Sequence, residues 1–239
     1  MEVNLKLSEL VGLQNPLVLG LVIYVLQVLV YWLICSGVTG FYSAWAARGV
    51  GAPIDPGERR PFQTQQERKW GLSTCAVISV YLFAATLFVQ MLFPVSALAA
   101  AVNTIGFLIA YDLWMYATHR LLHTRLLARF HVRHHNAIRA TPWSSLNMHP
   151  IEAVINYLPF LLFAVVSEVS LAVLLGVHVY LLVGIANSHA NYSLLSKHRK
   201  SGMLRELVTF HQGHHSNPTS NYGFLFTHWD WLFGTRVKV

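Results

Sequence analysis

The chain has 239 residues, of which 54% are hydrophobic and only 11% are charged. Soluble proteins carry roughly 25% charged residues, so this composition excludes an ordinary water-soluble globule. Lys and Arg outnumber Asp and Glu by 17 to 10, but the base-reading modules and Arg-rich tails typical of nucleic-acid binding are absent, and we predict no nucleic-acid partner.

Apolar stretches follow one another along the chain. At about 1.5 Å per residue, residues 16–36, 72–93 and 95–116 are each long enough to span a hydrocarbon core of about 30 Å. Residues 153–187 predict two tightly joined helices with Glu168 at the turn. Each arm is short for a full span, so we expect the hairpin to be tilted, to thin the bilayer around it or to be partly re-entrant. The predicted fold class is an all-α polytopic bundle of about four transmembrane helices.

The basic residues predict how the chain is oriented, because cytoplasmic loops carry the Lys and Arg. Sixteen of the 17 fall in residues 37–71, 117–152 and the C-terminal tail, which four crossings place on one side. We therefore predict an outside N-terminus and an inside C-terminus. The stretch at 49–61 contains Pro and Gly, which predicts an ordered or partly mobile cytoplasmic loop and not a domain boundary.

The 13 histidines all lie at or beyond His119, and nine of them form short clusters on the predicted cytoplasmic side. Spacings of three and four residues place imidazoles on one helical face. The nine are His119 and His123 in HRLLH, His131, His134 and His135 in HVRHH, His189 in NSHANY, and His211, His214 and His215 in HQGHH. The first face continues backwards to Tyr116 and Asp112.

Clustered neutral imidazoles indicate metal binding, because crowded histidines without a metal would repel one another on protonation. Two metals with about four or five ligands each need eight to ten donors, and the clusters supply nine. An all-nitrogen set suits Fe, Zn, Cu or Ni. The sequence has no HExxH, no CxxC and no Glu-x-x-His, which argues against a zincin, a zinc ribbon and a soluble ferritin-like di-iron site.

The other histidines carry weaker signals. His149, in NMHPIE, is balanced between a ligand and a residue that supports the ligands. We predict that His178 is a packed or hydrogen-bonded helix residue. We predict that His198, in KHRK, belongs to a solvated basic loop facing anionic headgroups. His228, in THWDW, favours an interfacial or structural role, with a role in the site left open.

These motifs resemble the fatty acid hydroxylase / sterol desaturase superfamily of integral membrane di-iron oxygenases. The resemblance covers residues 105–236, whereas residues 1–100 resemble the family only in hydropathy. The matching positions are Asp112, Tyr116, His119, Arg120 and His123; His131, His134 and His135; His149, Pro150 and Glu152; and His211, His214, His215, Asn221, Tyr222, Gly223, Trp229, Asp230, Phe233, Gly234 and Thr235.

The resemblance implies a membrane helical domain with a cytoplasmic cap, in which residues 1–100 hold N-terminal transmembrane helices and residues 101–239 form the catalytic region of one integrated domain. It implies two Fe ions, with Zn as a replacement in purified protein, and O2 as co-substrate. The substrate would be a sterol, fatty acyl or related lipid, hydroxylated or desaturated at an unactivated C–H bond. Electrons would come from another protein, cytochrome b5 or a ferredoxin with its reductase.

The resemblance also implies the site residues. Some relatives have a further HxxxH motif before the last histidine cluster. Here His189 stands at that place without a second histidine after it, so His149, Asn191 or water would complete the ligand set. Asp112, Tyr116, Glu152 and Asp230 are the predicted catalytic residues.

Ligating histidines usually donate their second N–H to a carboxylate or carbonyl, which makes Asp112, Glu152 and Asp230 candidate acceptors. We expect Asp112 to contact His119 and, less strongly, Arg120 or Arg133. For Asp230 a turn or capping role is equally open.

Two other readings remain open at this point. A His-rich membrane metal transporter would place its ligands inside the spans, but His178 is the only histidine in a predicted span, which favours an enzyme. The same fold could also serve an ether-lipid-cleaving, aldehyde-processing or carotenoid-modifying enzyme. The predicted location is a membrane with the site facing the cytoplasm, either a bacterial inner membrane or the endoplasmic reticulum.

Overall fold

The computed structural model describes residues 15–89, 96–167, 169–194 and 203–237, the last range without the side chains of 203–207. Within these ranges the regular elements are helices apart from one pair of two-residue strands, which confirms the all-α fold class. The elements are α1 (Pro16–Ala47), β1 (Ala52–Pro53), α2 (Gln63–Thr86), α3 (Ala97–Leu122), α4 (Ala128–His135), a 3-10 helix (Pro142–Leu146), α5 (Pro150–Val166), α6 (Leu171–Ser188), β2 (Tyr192–Ser193), α7 (Met203–Ser216) and α8 (His228–Leu232).

Four helices, α1, α2, α3 and α6, are long and apolar enough to cross a membrane, and α5 is a shorter apolar helix. Large apolar side chains project outward from them. Leu17 is 82% exposed and Leu33 72% exposed on α1, and Leu98 is 75% exposed on α3. Contiguous apolar surface of this kind marks contact with lipid. The bundle is that of a polytopic membrane protein, and the predicted hairpin is confirmed as the two helices α5 and α6.

The helices extend further than the apolar stretches predicted. α1 continues to Ala47, α2 begins at Gln63, and α3 ends at Leu122. Hydropathy marks only the part of a helix that meets lipid, whereas backbone hydrogen bonds continue into the polar part. Buried polar groups line that part of α2, where the Gln63 amide donates to Glu67 Oε1 at 2.7 Å. Residues 90–95 and the predicted turn at Glu168 lie outside the described residues.

A proline inside α5 is compensated by a side chain from α3. Pro159 has no N–H, so the carbonyl of Ile155 four residues earlier has no partner within the helix. The indole of Trp114 donates to that carbonyl at 3.0 Å. This bond supplies the polar partner that lipid cannot, and it ties α5 to α3.

The segment from 140 to 148 is buried along its whole length although it is mostly not α-helical. The Tyr31 hydroxyl of α1 donates to the Trp143 carbonyl at 2.8 Å, and the Thr141 hydroxyl donates to Glu67 Oε2 of α2 at 2.6 Å. Buried backbone needs such partners. The two N-terminal helices therefore support the connection between α4 and α5.

The loop at 49–61 is ordered and packs near the end of α6. Its strand β1 pairs antiparallel with β2, with Ala52 opposite Ser193. The Asn191 side chain accepts from the Asp55 N–H at 2.9 Å and donates to the Asp55 carbonyl at 3.0 Å. Arg139 Nε lies 3.5 Å from the Asp55 carboxylate. This loop thus holds the chain just after His189.

Candidate metal centre

Nine histidines converge in two groups, each with ring nitrogens within 4.8 Å of one another. They are the nine that the sequence singled out, eight by their spacing and His189 by its place at the end of the predicted hairpin. One group is His119, His123, His131, His135 and His214; the other is His134, His189, His211 and His215. The groups are adjacent, since the rings of His135 and His215 have centroids 4.9 Å apart.

Four elements position these side chains. The C-terminal end of α3 presents His119 and His123, and His189 caps the C-terminal end of α6. The short helices α4 and α7 each present three histidines at spacings of three and four residues, so that all three lie on one face. α4 and α7 each contribute to both groups.

In the five-histidine group, ring nitrogens face one another at close range. His214 Nδ1 donates to the Ser220 carbonyl at 2.6 Å, which leaves a lone pair on Nε2. That Nε2 lies 3.1 Å from Nε2 of both His123 and His135. His119 Nδ1 donates to the Tyr222 carbonyl at 2.8 Å, and its buried Nε2 has no hydrogen-bond partner.

The four-histidine group repeats this arrangement. His189 Nδ1 donates to the Ile185 carbonyl at 2.7 Å, so its Nε2 also carries a lone pair. That Nε2 lies 3.2 Å from Nε2 of His134 and 3.0 Å from Nε2 of His211. His211 Nε2 in turn lies 3.2 Å from that of His215.

Lone pairs on buried ring nitrogens need a proton or a cation to accept from, so the donor set fits metal ions. Burial lowers the pKa of His123 and of His189 to about 4. Burial and neighbouring imidazoles hold the pKa of His134 and of His211 well below the usual 6.5. The imidazoles are therefore neutral near pH 7, which is the state that binds metal.

Glu152 contacts the five-histidine group directly. Its Oε1 lies 2.8 Å from His131 Nδ1, and both side chains are buried. The carboxylate thus holds the ring nitrogen opposite the one that faces the other histidines, as expected of an acceptor behind a metal ligand.

Asp112 does not contact the partners we expected. Its Oδ1 accepts from the Leu225 N–H at 2.7 Å and from the Phe226 N–H at 3.4 Å, and its Oδ2 lies 3.9 Å from His228 Nδ1. The expected contact with His119 is wrong. The two residues share a helical face but lie seven positions apart, about 10 Å along the axis. The expected contacts with Arg120 and Arg133 are likewise not the ones formed, because the C-terminal segment covers this carboxylate.

Asp230 and Tyr116 organise that C-terminal segment. Asp230 accepts from the N–H groups of Tyr222 and Gly223 at 2.8 and 2.6 Å, and from the Thr235 hydroxyl at 2.7 Å. This is the turn role that the sequence left open. The Tyr116 hydroxyl lies 3.0 Å from Thr235 Oγ1. Both residues act on the metal groups indirectly. They hold the C-terminal segment, whose Tyr222 carbonyl accepts from His119.

Three of the four remaining histidines lie apart from the two groups. His149 Nδ1 accepts from the Ile151 N–H at 3.2 Å and caps α5. His178 is buried and its Nε2 lies 2.8 Å from Gln27 Oε1, which confirms a hydrogen-bonded helix residue. His228 is half exposed beside Asp112. His198 lies outside the described residues. Asn191, which the resemblance allowed as a further ligand, is hydrogen-bonded to the backbone of Asp55 instead.

The sequence did not single out the backbone carbonyls that hold the ligands. The Ile185 carbonyl lies one helical turn before His189, a spacing that could have predicted it. The Ser220 and Tyr222 carbonyls lie in a segment rich in Asn, Ser, Pro and Gly. That composition predicts a loop but not which carbonyl meets which ring.

Residues 104–235 match the family model described as fatty acid hydroxylase, which is more than half of the chain. The chain belongs to the fatty acid hydroxylase family. It is 31% identical over 147 residues to lathosterol oxidase of Mus musculus, covering 60% of this chain and 48% of the relative. It is 29% identical over 130 residues to Delta(7)-sterol 5(6)-desaturase ERG3A of Gibberella zeae, covering 54% of this chain and 36% of the relative.

A third relative in the same range is methylsterol monooxygenase 1 of Gallus gallus, 28% identical over 131 residues, with 54% of this chain and 44% of the relative covered. The chain thus spans less than half the length of these relatives. No solved structure matches the chain.

Proposed function

We propose that this member of the fatty acid hydroxylase family is a membrane oxygenase that holds two iron ions and uses O2 and external electrons to hydroxylate or desaturate a lipid. One observation carries the proposal: nine imidazoles converge in adjacent groups of five and four, with ring nitrogens facing one another. The relatives named as sterol oxidase, desaturase and monooxygenase support a sterol or related lipid as substrate.

In this proposal the two groups would each hold one iron, and bound iron would supply the activation of O2. The chain's own residues set the geometry. Glu152 and the Ser220 carbonyl fix the rings of His131 and His214 by their outer nitrogens. Burial of His189 and His214, both 0% exposed, excludes bulk water from the reacting atoms. The position of the groups at the ends of α3 and α6 would bring a lipid within reach from the bilayer.

Cytochrome b5, or a ferredoxin with its reductase, would deliver electrons to the site from the cytoplasmic side. The distribution of Lys and Arg supports this orientation. The membrane would be a bacterial inner membrane or the endoplasmic reticulum.

The geometry argues against a metal transporter. A transport path needs ligands along the spans, whereas the two groups gather where α3 and α6 end. His178, deeper in α6, pairs with Gln27 in the described structure.

Metal content is the first test. Protein purified with iron and without chelators should hold about two irons per chain by elemental analysis, and His214→Ala should lose metal while His178→Ala retains it. One metal or none in the unaltered chain would contradict the two-iron proposal. Two zincs would call for anaerobic exchange with iron before judgement.

Activity is the second test. The iron-loaded protein, an electron donor and its reductase should oxidise a Δ7-sterol, a 4-methylsterol or a fatty acyl lipid, with products identified by mass spectrometry. Cleavage of an ether lipid or conversion of an aldehyde or carotenoid instead would keep the metal centre but assign another reaction of the same fold.

A further inference from the structure

A cavity of about 290 Å³ lies on the other side of α4 from the metal groups. α4 presents His131 and His134 to the metal groups, whereas Arg129 and Arg133, on the same helix, line the cavity. The opposite wall comes from the first turns of α2, including Trp70. Its volume is at the lower end of the roughly 300–1,000 Å³ typical of ligand sites, which suits a headgroup or small anion and not a whole lipid.

Three arginines face this cavity without a carboxylate partner. Among the ion pairs of the described residues, none involves Arg60, Arg129 or Arg133. The one carboxylate in the lining, Glu67, is already bonded to Gln63 and Thr141. The lining therefore carries three arginines against one carboxylate, an excess of positive charge, and Glu152 acts on Arg133 from outside the lining.

The arginines are held in place by rings and backbone. The Arg133 guanidinium lies 3.4 Å from the centre of the Trp70 ring and donates to the Met148 carbonyl at 3.4 Å. The Arg129 guanidinium lies 4.6 Å from the centre of the Phe130 ring. Stacking of this kind leaves the N–H groups at the guanidinium edge available for an anion.

His149 adds a neutral donor to the same lining. Because its Nδ1 accepts from the Ile151 N–H, the proton of the neutral ring is on Nε2. The cavity thus combines a ring N–H with three guanidinium groups, a donor set that matches a tetrahedral oxyanion.

We propose that this cavity binds a phosphate group. The wall formed by α2 is the polar end of a helix long enough to cross a membrane, and Trp70 there is typical of the level of lipid headgroups. The phosphate would therefore come from a lipid headgroup or from free phosphate, and both would meet the same arginines. This site is distinct from the metal groups and does not depend on the proposed reaction.

Binding to the full-length protein tests the proposal. In nanodiscs of an uncharged galactolipid, which carries no phosphate, inorganic phosphate would be titrated against chloride at constant ionic strength, with the unfolding temperature as the signal. In a second arm, nanodiscs would contain phosphatidate or, as an anion without phosphate, cholesteryl hemisuccinate, and native mass spectrometry would count the lipid retained per chain.

One variant combines Arg129→Gln with Arg133→Gln. A second variant carries Arg60→Gln alone, in case loss of the Arg133 stacking prevents the double variant from folding. Arg125→Gln is the matched control, because Arg125 is exposed on the same side and does not line the cavity. We expect saturable binding that weakens about tenfold in the cavity variants, as for lost charge-assisted hydrogen bonds. In Arg125→Gln the change should be roughly twofold at most, because exposed charges are screened.

Saturation in the phosphatidate arm alone assigns the site to a lipid headgroup, and saturation with inorganic phosphate assigns it to free phosphate; either result supports the proposal. Equal weakening in Arg125→Gln would show attraction to a basic face instead of a site. Equal retention of cholesteryl hemisuccinate would show selection by charge alone. Either of these results, or no saturable binding in both arms, overturns the proposal.

Discussion

At the level of single residues, four of the nine imidazoles depend on an acceptor behind the ring. Carbonyls of Ile185, Ser220 and Tyr222 and the carboxylate of Glu152 hold outer ring nitrogens. Such acceptors fix the tautomer and ring orientation and raise the basicity of the ligand. Glu152 differs from the carbonyls in that it can carry a negative charge, and it can be changed by mutation.

Glu152→Gln should weaken metal binding by about tenfold or more, because the amide keeps an acceptor for His131 but removes the charge. The measurement is metal retained per chain during titration with a chelator. Glu58→Gln, which alters an exposed carboxylate in the loop at 49–61, is the control. Equal retention in the two variants would show that Glu152 does not support the ligand.

His149 and His189 provide a matched pair of histidine variants. His189→Ala should lose metal, because His189 is 0% exposed with its Nε2 among the four-histidine group. His149→Ala should keep its metal and lose about 1 kcal/mol of stability, as for removal of a helix N-cap. Elemental analysis and thermal unfolding separate the two effects. Equal metal loss would return His149 to the ligand set that the resemblance allowed.

Spacing was enough to predict which histidines cluster, because three- and four-residue separations dictate a shared face whatever the tertiary structure. It was not enough to predict the partner of Asp112, since Leu225 and Phe226 are brought there by a segment more than 100 residues later in the chain. Contacts of this kind depend on tertiary packing, which one sequence does not reveal.

At the level of elements, the segment from α7 to α8 acts as a clamp over the five-histidine group. Asp230 holds the backbone of Tyr222 and Gly223, and that backbone presents a carbonyl to His119. The clamp leaves no room for a side chain at Gly223. A Cβ there would lie 2.5 Å from the Phe226 carbonyl oxygen and 2.7 Å from Asp230 Oδ2.

Gly223→Ala should therefore destabilise the protein by roughly 1–3 kcal/mol, as for other overpacked sites, and reduce its metal content. Gly184→Ala is the control, because a Cβ at this position in α6 would meet nothing within 4 Å. There, alanine should be neutral or stabilise the helix by roughly 0.5–1 kcal/mol. Unfolding in detergent monitored by circular dichroism checks both. Similar stability of the two variants would contradict the clamp.

The elements themselves were largely predictable where apolar runs are long. Hydropathy predicted α1, α2, α3 and the α5–α6 pair, because length and composition alone decide whether a helix can cross lipid. It did not predict the buried 3-10 helix at Pro142–Leu146, whose burial depends on hydrogen bonds to Tyr31 and Glu67 from other helices.

At the level of the whole molecule, the N-terminal helices are part of the scaffold although the family match begins only at residue 104. α2 packs against α5 and the 3-10 helix, and α1 packs against α2 and α6. Tyr42 of α1 also donates to Asn187 Oδ1 at 2.6 Å, two residues before His189.

A fragment of residues 96–235 should consequently fail to retain metal, because it keeps α3 whole but lacks the helices that support the 3-10 helix and the end of α6. The test is expression of this fragment in membranes, alone and together with residues 1–95, followed by purification and elemental analysis. Restored metal content on co-expression would attribute the failure to the missing helices. A fragment that holds its full metal complement alone would contradict the predicted single domain.

The division of ligands between α4 and α7 has a consequence for how the protein fills with metal. Each of these helices contributes to both groups, so the first ion to bind orders the face that the second ion needs. Loading should then be cooperative, with empty and doubly loaded chains dominating native mass spectra at half saturation. Singly loaded chains at the binomial proportion would show that the two sites fill independently.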